Sequence, residues 1–185
     1  GLPAPYFYTR WFETLESVAA FALRDLDEAV QACREADARL DAGGLSEAQR
    51  FTVAHTTRSY LYSTQLLDHQ GRALWVVNEG EFNMINTLDL AGDHALYEAQ
   101  HHPWTIRNVL EQYAERYAYE DELHFAGSGL SVPGGIAFTH DMGVHSHFAP
   151  PGRSAYELAG LTGCFSYMAT EELLNWVLCA GLYVE

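Results

Sequence analysis

The sequence predicts a mainly α fold, in which helical hairpins with short strand-bearing insertions stack as an α/α toroid. Three observations point there. Apolar residues recur at helical spacing over long stretches, the segments rich in β-formers are very short, and each of these short segments ends in polar residues. In such an architecture the function sits in the loops at one end.

The first helix is expected over 14–40. Trp11, Leu15, Val18, Ala22, Leu26, Ala29 and Cys33 follow one another at spacings of 4, 3, 4, 4, 3 and 4, one stripe of a 3.6-residue period. Glu16, Arg24, Asp27, Glu28 and Arg34 fall off that stripe. Gly43-Gly44 closes the connection, and Ser46-x-x-Gln49 reads as a capping box for a second helix over 46–66. Together they make a helical hairpin. Residues 73–77, Ala-Leu-Trp-Val-Val, form a continuous apolar run of the kind that becomes a buried strand, and it delivers Asn78-Glu79-Gly80-Glu81. A third helix is expected over 87–100, stopped by Pro103, and a fourth over 105–119 with Val109, Leu110, Tyr113 and Tyr117 inward. Residues 126–135 are loop by their Gly, Ser and Pro content. A brief extended stretch over 136–139 delivers His140-Asp141. A long loop through Pro150-Pro151-Gly152 leads to a last helix over 170–184, capped by Thr170, with Leu173, Leu174, Val177, Leu178 and Leu182 on one apolar face.

Composition bounds the function. A chain of 185 residues, 48% hydrophobic and 19% charged, is ordinary globular material with enough length for a core. No apolar run approaches the roughly 20 residues that cross a bilayer, so no membrane role is expected. The formal net charge is −15 and all ten basic residues are arginines. A negative surface repels phosphate backbones, which argues against a nucleic-acid partner. It suits a neutral ligand such as a sugar without singling one out. Cys33, Cys164 and Cys179 are too few and too widely spaced for a disulfide framework or a metal knuckle and read as reduced core residues. The chain opens Gly1-Leu2-Pro3 with no basic-then-apolar segment, and its last helix runs to Glu185 without a stop signal. The expectation is a cytoplasmic protein whose 185 residues are one partial domain, cut at both ends.

Two polar strings could carry chemistry. Glycoside hydrolysis needs two carboxylic groups flanking the scissile bond. Trp75-Val-Val-Asn78-Glu79-Gly80-Glu81 offers a carboxylate at the end of a rigid strand, an asparagine able to bond a sugar hydroxyl, and a glycine that permits a sharp turn. The same string also reads as a strand end carrying two solvated glutamates. Thr139-His140-Asp141 sets a donor beside an acceptor, as neighbouring hydroxyls require, but an exposed loop pair serves equally well as structure. Asp89 follows Asn86-Thr87 at a helix start, where the dipole alone favours an aspartate. Histidines cluster at His101-His102 and at His140, His145 and His147, without HExxH or a paired cysteine. Neither a metal nor a cofactor is therefore expected. No Gly-rich loop joins a strand to a helix, and no GxSxG elbow occurs.

Longer strings are more specific. The run from Trp75 to Asp89 (Trp-Val-Val-Asn-Glu-Gly-Glu-Phe-Asn-Met-Ile-Asn-Thr-Leu-Asp) resembles the nucleophile segment of glycoside hydrolase family 52 β-xylosidases. So do Pro133 to Gly143, Gly163-Cys-Phe-Ser through Asn175 to Ala180, and the stretch from Tyr8-Thr-Arg to Leu67. The Asn86-to-Asp89 and His140-Asp141 elements are also similar to those of family 116 β-glucosidases. The resemblance implies an (α/α)6 barrel and hydrolysis of β-xylosides with retention of configuration. It puts the nucleophile at Glu79 rather than Glu81, and Asp89, His140 and Asp141, with Asn78, at the sugar subsite. It also implies that the family's acid/base aspartate lies beyond residue 185 and a β-sandwich before residue 1, so that the chain alone turns over little. A non-enzymatic helical module binding sugar or protein, and a His-rich metal protein, remain as other readings. Helix faces left bare by such a cut would make the chain a two-fold homodimer.

Overall fold

The computed structural model describes residues 2–80, 82–158 and 168–184. The chain divides into two compact units, residues 6–62 and residues 1–5 with 63–185.

The smaller unit is helical. A 3-10 turn at Phe7–Arg10 precedes α1 (Leu15–Arg24), α2 (Leu26–Ala42) and α3 (Glu47–Tyr62). The helix expected over 14–40 is thus two helices, broken at Asp25, whose φ of −100° and ψ of 11° leave the helical region. Thr14 caps α1, its hydroxyl accepting from the Ser17 amide at 3.2 Å. The expected box at α3 is present: the Gln49 side-chain oxygen accepts from the Ser46 amide at 3.0 Å, and the Ser46 hydroxyl from the Gln49 amide at 3.3 Å. No residue of α1, α2 or α3 is buried. Cys33, expected in a core, is accordingly exposed, whereas Cys179 is buried as expected and Cys164 lies outside the described residues.

The larger unit overturns the mainly α expectation and the reading of the chain as a piece of an (α/α)6 barrel. It is built on two antiparallel sheets, one of five strands in the order β1-β2-β3-β6-β7 and one of two, β4-β5. β1 (Thr64–His69) occupies residues taken for the end of a helix and pairs along its whole length with β2 (Arg72–Glu79), from Thr64↔Val77 to His69↔Arg72. The reason is the turn. Gln70 and Gly71 have φ of 54° and 84°, the doubly positive pair that matches strand twist in a two-residue hairpin. Asp68 Oδ1 accepts from the Gly71 amide at 2.7 Å. Residues 64–67 therefore pair with β2 instead of extending α3.

β3 (Met84–Ile85) continues the sheet with Asn78↔Ile85 and Glu79↔Met84, and β6 (Gly143–Val144) joins through Met84↔Val144. β7 (His147–Phe148) closes it against β6. Between β3 and β6 the chain makes α4 (Leu88–His101), α5 (Pro103–Gln112), a π-helical turn at Tyr113–Tyr117, and the hairpin of β4 (Ala118–His124) and β5 (Ser131–Phe138). α4 ends before Pro103 as expected, and Pro103 also opens α5, where its missing N–H costs nothing. The helix expected over 105–119 ends at Gln112, and the loop expected over 126–135 is largely β5. Its glycines serve a bulge. Asp121 faces Gly135 and Glu122 faces Pro133, leaving Gly134 as the extra residue. Two more elements complete the unit, α6 (Ala155–Leu158) and α7 (Ala169–Val184), and Thr170 lies inside α7 rather than capping it.

The core fills the space between the large sheet and α4, α5 and α7. Leu74 and Val76 alternate inward on β2, Leu88 and Ala95 face them from α4, Ile106 and Leu110 from α5, and Cys179 from α7. The opposite face of α7 is open, with Leu174, Val177 and Leu178 exposed.

Gly143 carries the tightest turn of the sheet. Its φ is +138°, and a Cβ there would overlap the His147 carbonyl oxygen and stand 2.8 Å from the Ala149 nitrogen and 2.9 Å from the Phe148 Cα. All three obstacles are backbone, so none can swing aside. Gly143→Ala should cost about 3 kcal/mol or more, read as a lower denaturant midpoint. A midpoint unchanged within error would mean that the β6–β7 turn is formed differently.

Candidate functional site

Three backbone hydrogen bonds assemble the site. The Asn86 amide donates to the Val77 carbonyl at 2.9 Å, the Leu88 amide to the His140 carbonyl at 2.8 Å, and the Met142 amide to the Ile85 carbonyl at 2.9 Å. They lock the start of α4, which bears Asp89, against the segment bearing His140 and Asp141. Asn86 strengthens the joint: its side-chain oxygen accepts from the Val77 amide at 2.7 Å and its NH2 donates to the Trp75 carbonyl at 3.0 Å. The buried Tyr113 hydroxyl bridges both partners, donating to the Asn86 carbonyl at 2.5 Å with the His140 carbonyl 3.2 Å away. Burial, aided by the Asp141 charge, raises the Tyr113 pKa well above its ordinary value and keeps the hydroxyl a donor.

Asp141 is fully buried. Its Oδ1 accepts from the Gly143 amide at 2.8 Å and from the Ala155 amide at 2.7 Å, and its Oδ2 lies 3.1 Å from His140 Nδ1. With Oδ1 accepting from two backbone amides, Oδ2 is the acceptor for the ring, so Nδ1 carries the proton and donates. His140 Nε2 is then directed at Asp89, 3.7 Å from its Oδ1. Burial pulls the His140 pKa down, but the hydrogen bond and charge of Asp141, with the charges of Asp89 and Glu172, outweigh it and raise it. The Tyr156 ring lies beside the imidazole, with centroids 5.7 Å apart.

Asp89, His140 and Asp141 are thus brought together, though α5, a π-helical turn and the β4–β5 hairpin separate Asp89 from the other two in sequence. Glu79 is half-buried at the last paired position of β2, followed by Gly80 with φ of +45°. Among the described residues no hydrogen bond or ion pair joins it to the Asp89–His140–Asp141 group; the shared sheet β2-β3-β6 connects them. Asn78 is partly committed to structure, since its backbone amide and its side-chain NH2 both donate to the Ser63 carbonyl, at 2.8 and 3.1 Å. Its side-chain oxygen and the second side-chain N–H are left for a ligand. Glu81 lies outside the described residues. The histidines of the β6–β7 connection form a turn, with His147 Nδ1 2.7 Å from the His145 carbonyl oxygen.

Sequence reasoning missed Glu172. An acidic residue in the first turn of a helix is what the dipole favours, so nothing marked it. Yet it is fully buried, and neither carboxylate oxygen meets a well-formed hydrogen bond among the described residues. One ligand atom each from Asp89, His140 and Glu172 lie within 4.8 Å of one another. Burial pushes the Glu172 pKa up to about 8 from 4.5; His140 opposes this, Asp89 and Glu171 add to it, and Asn175 one turn along weakly opposes it. A carboxyl whose folded pKa is raised contributes stability that is whole below its unfolded pKa and lost as pH rises through the folded one. With a chelator present, the melting temperature should therefore fall between pH 5 and about pH 8, and Glu172→Gln should flatten that fall. An equal slope in the variant would show that Glu172 is ionised throughout.

The chain matches the family model described as Glycosyl hydrolase family 52 over residues 1–183. It is 48% identical over 185 residues to a "Beta-xylosidase" of Geobacillus stearothermophilus, covering 100% of this chain and 26% of that protein. To a second "Beta-xylosidase" of the same organism it is 49% identical over 180 residues, covering 97% of this chain and 29% of that protein. The chain thus spans between a quarter and a third of the length of the curated relatives it matches. With the match running almost from end to end, this chain belongs to glycosyl hydrolase family 52.

Proposed function

We propose that these residues form part of a retaining β-xylosidase, with Glu79 as its nucleophile and Asp89, His140, Asp141 and the Asn78 side-chain oxygen at the sugar subsite. The observation that carries this reading is Glu79 itself: a half-buried carboxylate at the end of β2, before a positive-φ glycine, in a chain 48% identical to a protein named β-xylosidase. In the first step a Glu79 oxygen attacks the anomeric carbon. The bond to the leaving oxygen breaks, and that oxygen takes a proton from an acid supplied outside these 185 residues. In the second step water, deprotonated by the same group, displaces Glu79 and restores the β configuration. His140, whose Nδ1 proton is held by Asp141, offers Nε2 as an acceptor beside the Asp89 carboxylate, and both can receive the O–H of adjacent sugar hydroxyls.

The chain by itself lacks the proton donor in this scheme. General acid catalysis is worth roughly 10²–10⁴-fold, so substrates with poor leaving groups should hardly react without the rest of the enzyme. The test is the stereochemistry of hydrolysis by the intact enzyme, followed by proton NMR on a β-xyloside. β-Xylose formed first, then mutarotating, is expected. α-Xylose formed first would remove the nucleophile role from Glu79.

A further inference from the structure

We propose that Asp89, His140 and Glu172 form a three-ligand site for a divalent cation of the zinc class. Three observations on different elements support this. The three side chains come from the start of α4, the segment before β6, and the first turn of α7, and they present ligand atoms within 4.8 Å of one another. Glu172 contributes a fully buried carboxylate whose two oxygens lack good partners among the described residues, and a buried polar group left in that state calls for one. His140 is prepared as a ligand. Its Nδ1 proton is held by Asp141 at 3.1 Å, and Asp141 is anchored by two backbone amides. That leaves the Nε2 lone pair facing Asp89, the carboxylate–histidine arrangement by which metal ligands are commonly oriented.

The donor set selects the ion. One imidazole nitrogen and two carboxylates, with no thiolate, suit Zn²⁺, Co²⁺ or Mn²⁺ better than the oxygen-loving Mg²⁺ and Ca²⁺. Bonds of about 2.0–2.1 Å put the ligand atoms of a tetrahedral ion about 3.3 Å apart. His140 Nε2 and Asp89 Oδ1 already stand 3.7 Å apart, and carboxylate rotation supplies the rest. Asp89 keeps 31% of its side chain exposed, so the ion reaches the site from that side and keeps a position for water. An ion seated there occupies the groups assigned above to sugar hydroxyls. Competition with sugar rests on that assignment, whereas binding of the ion does not.

The test is titration of the chelator-treated protein with Zn²⁺ by calorimetry, and with Co²⁺ by visible absorption, with circular dichroism to verify the fold of each variant. One Zn²⁺ per chain is expected, unaffected by millimolar Mg²⁺. Glu172→Gln and Asp89→Asn should each weaken binding at least about tenfold, the lower range for perturbed metal sites. A double change of His145 and His147, the histidines of the β6–β7 connection, should leave it intact. Unchanged affinity in Glu172→Gln, or loss of binding only in the His145/His147 variant, would overturn the proposal. Xylose should weaken Zn²⁺ binding. If Zn²⁺ binds as described and xylose has no effect, the sugar assignment of Asp89 and His140 fails while the metal site stands.

Discussion

Replacing Glu79 by alanine in the intact enzyme should lower kcat/KM on a β-xyloside by on the order of 10⁴-fold or more, the scale on which loss of a covalent nucleophile is felt. The proposed mechanism divides a difficult displacement into two easier ones, and both would run through the Glu79 oxygen. Without it, water must capture an oxocarbenium-like centre that no carboxylate stabilises. The cavity left by the side chain should admit a small anion. With an aryl xyloside whose leaving group needs no acid, azide should restore turnover and yield the α-xylosyl azide, one inversion instead of two. Activity within tenfold of the wild type, or a β-configured azide product, would contradict the role. The backbone around Glu79 is fixed by pairing on two sides, with β1 through Val77 and with β3 at Met84. The variant should therefore fold, and its loss would be chemical.

Asp141→Ala should be the most damaging substitution for the fold. It removes a fully buried carboxylate and leaves the Gly143 and Ala155 amides and His140 Nδ1 without their acceptor. Each buried donor stranded in this way costs about 1–3 kcal/mol, so a loss of about 3–5 kcal/mol is expected. That is a large share of the stability of a typical domain. Asp141→Asn separates structure from orientation. Its amide oxygen can still serve the two backbone donors, but its NH2 then faces His140 Nδ1 and favours the tautomer that puts the proton on Nε2. The asparagine variant should keep most of its stability while losing sugar affinity. Equal loss of stability in both variants would mean that the histidine contact, not the backbone pair, holds Asp141 in place.

Much of the helical part was legible in the sequence, and the reasons for the rest are local. α4 and α7 follow their apolar spacing, and β2 follows its run of β-formers. Residues 64–66 were misread because Leu66 continues a helical stripe as readily as it alternates on a strand. The turn at Gln70-Gly71, not the stripe, decides between the two. The β4–β5 hairpin was hidden because Gly134 and Gly135, read as loop composition, serve a bulge. Asp89, His140 and Asp141 stood out only through long strings shared with a family. Their adjacency depends on the bond between the Leu88 amide and the His140 carbonyl, which no local pattern announces. Glu172 left no mark, since its burial arises from α7 packing on α4 and α5.

The central claim, that Glu79 is the nucleophile, is tested most directly by trapping the covalent intermediate. A 2-deoxy-2-fluoro-β-xyloside with an activated leaving group forms the glycosyl-enzyme without help from an acid, and the fluorine slows its hydrolysis. Peptide mass spectrometry of the labelled protein should place the fluoroxylosyl group on Glu79. A label on Glu81 or elsewhere, or complete inactivation without any sugar attached to the peptide that contains Glu79, would contradict the account.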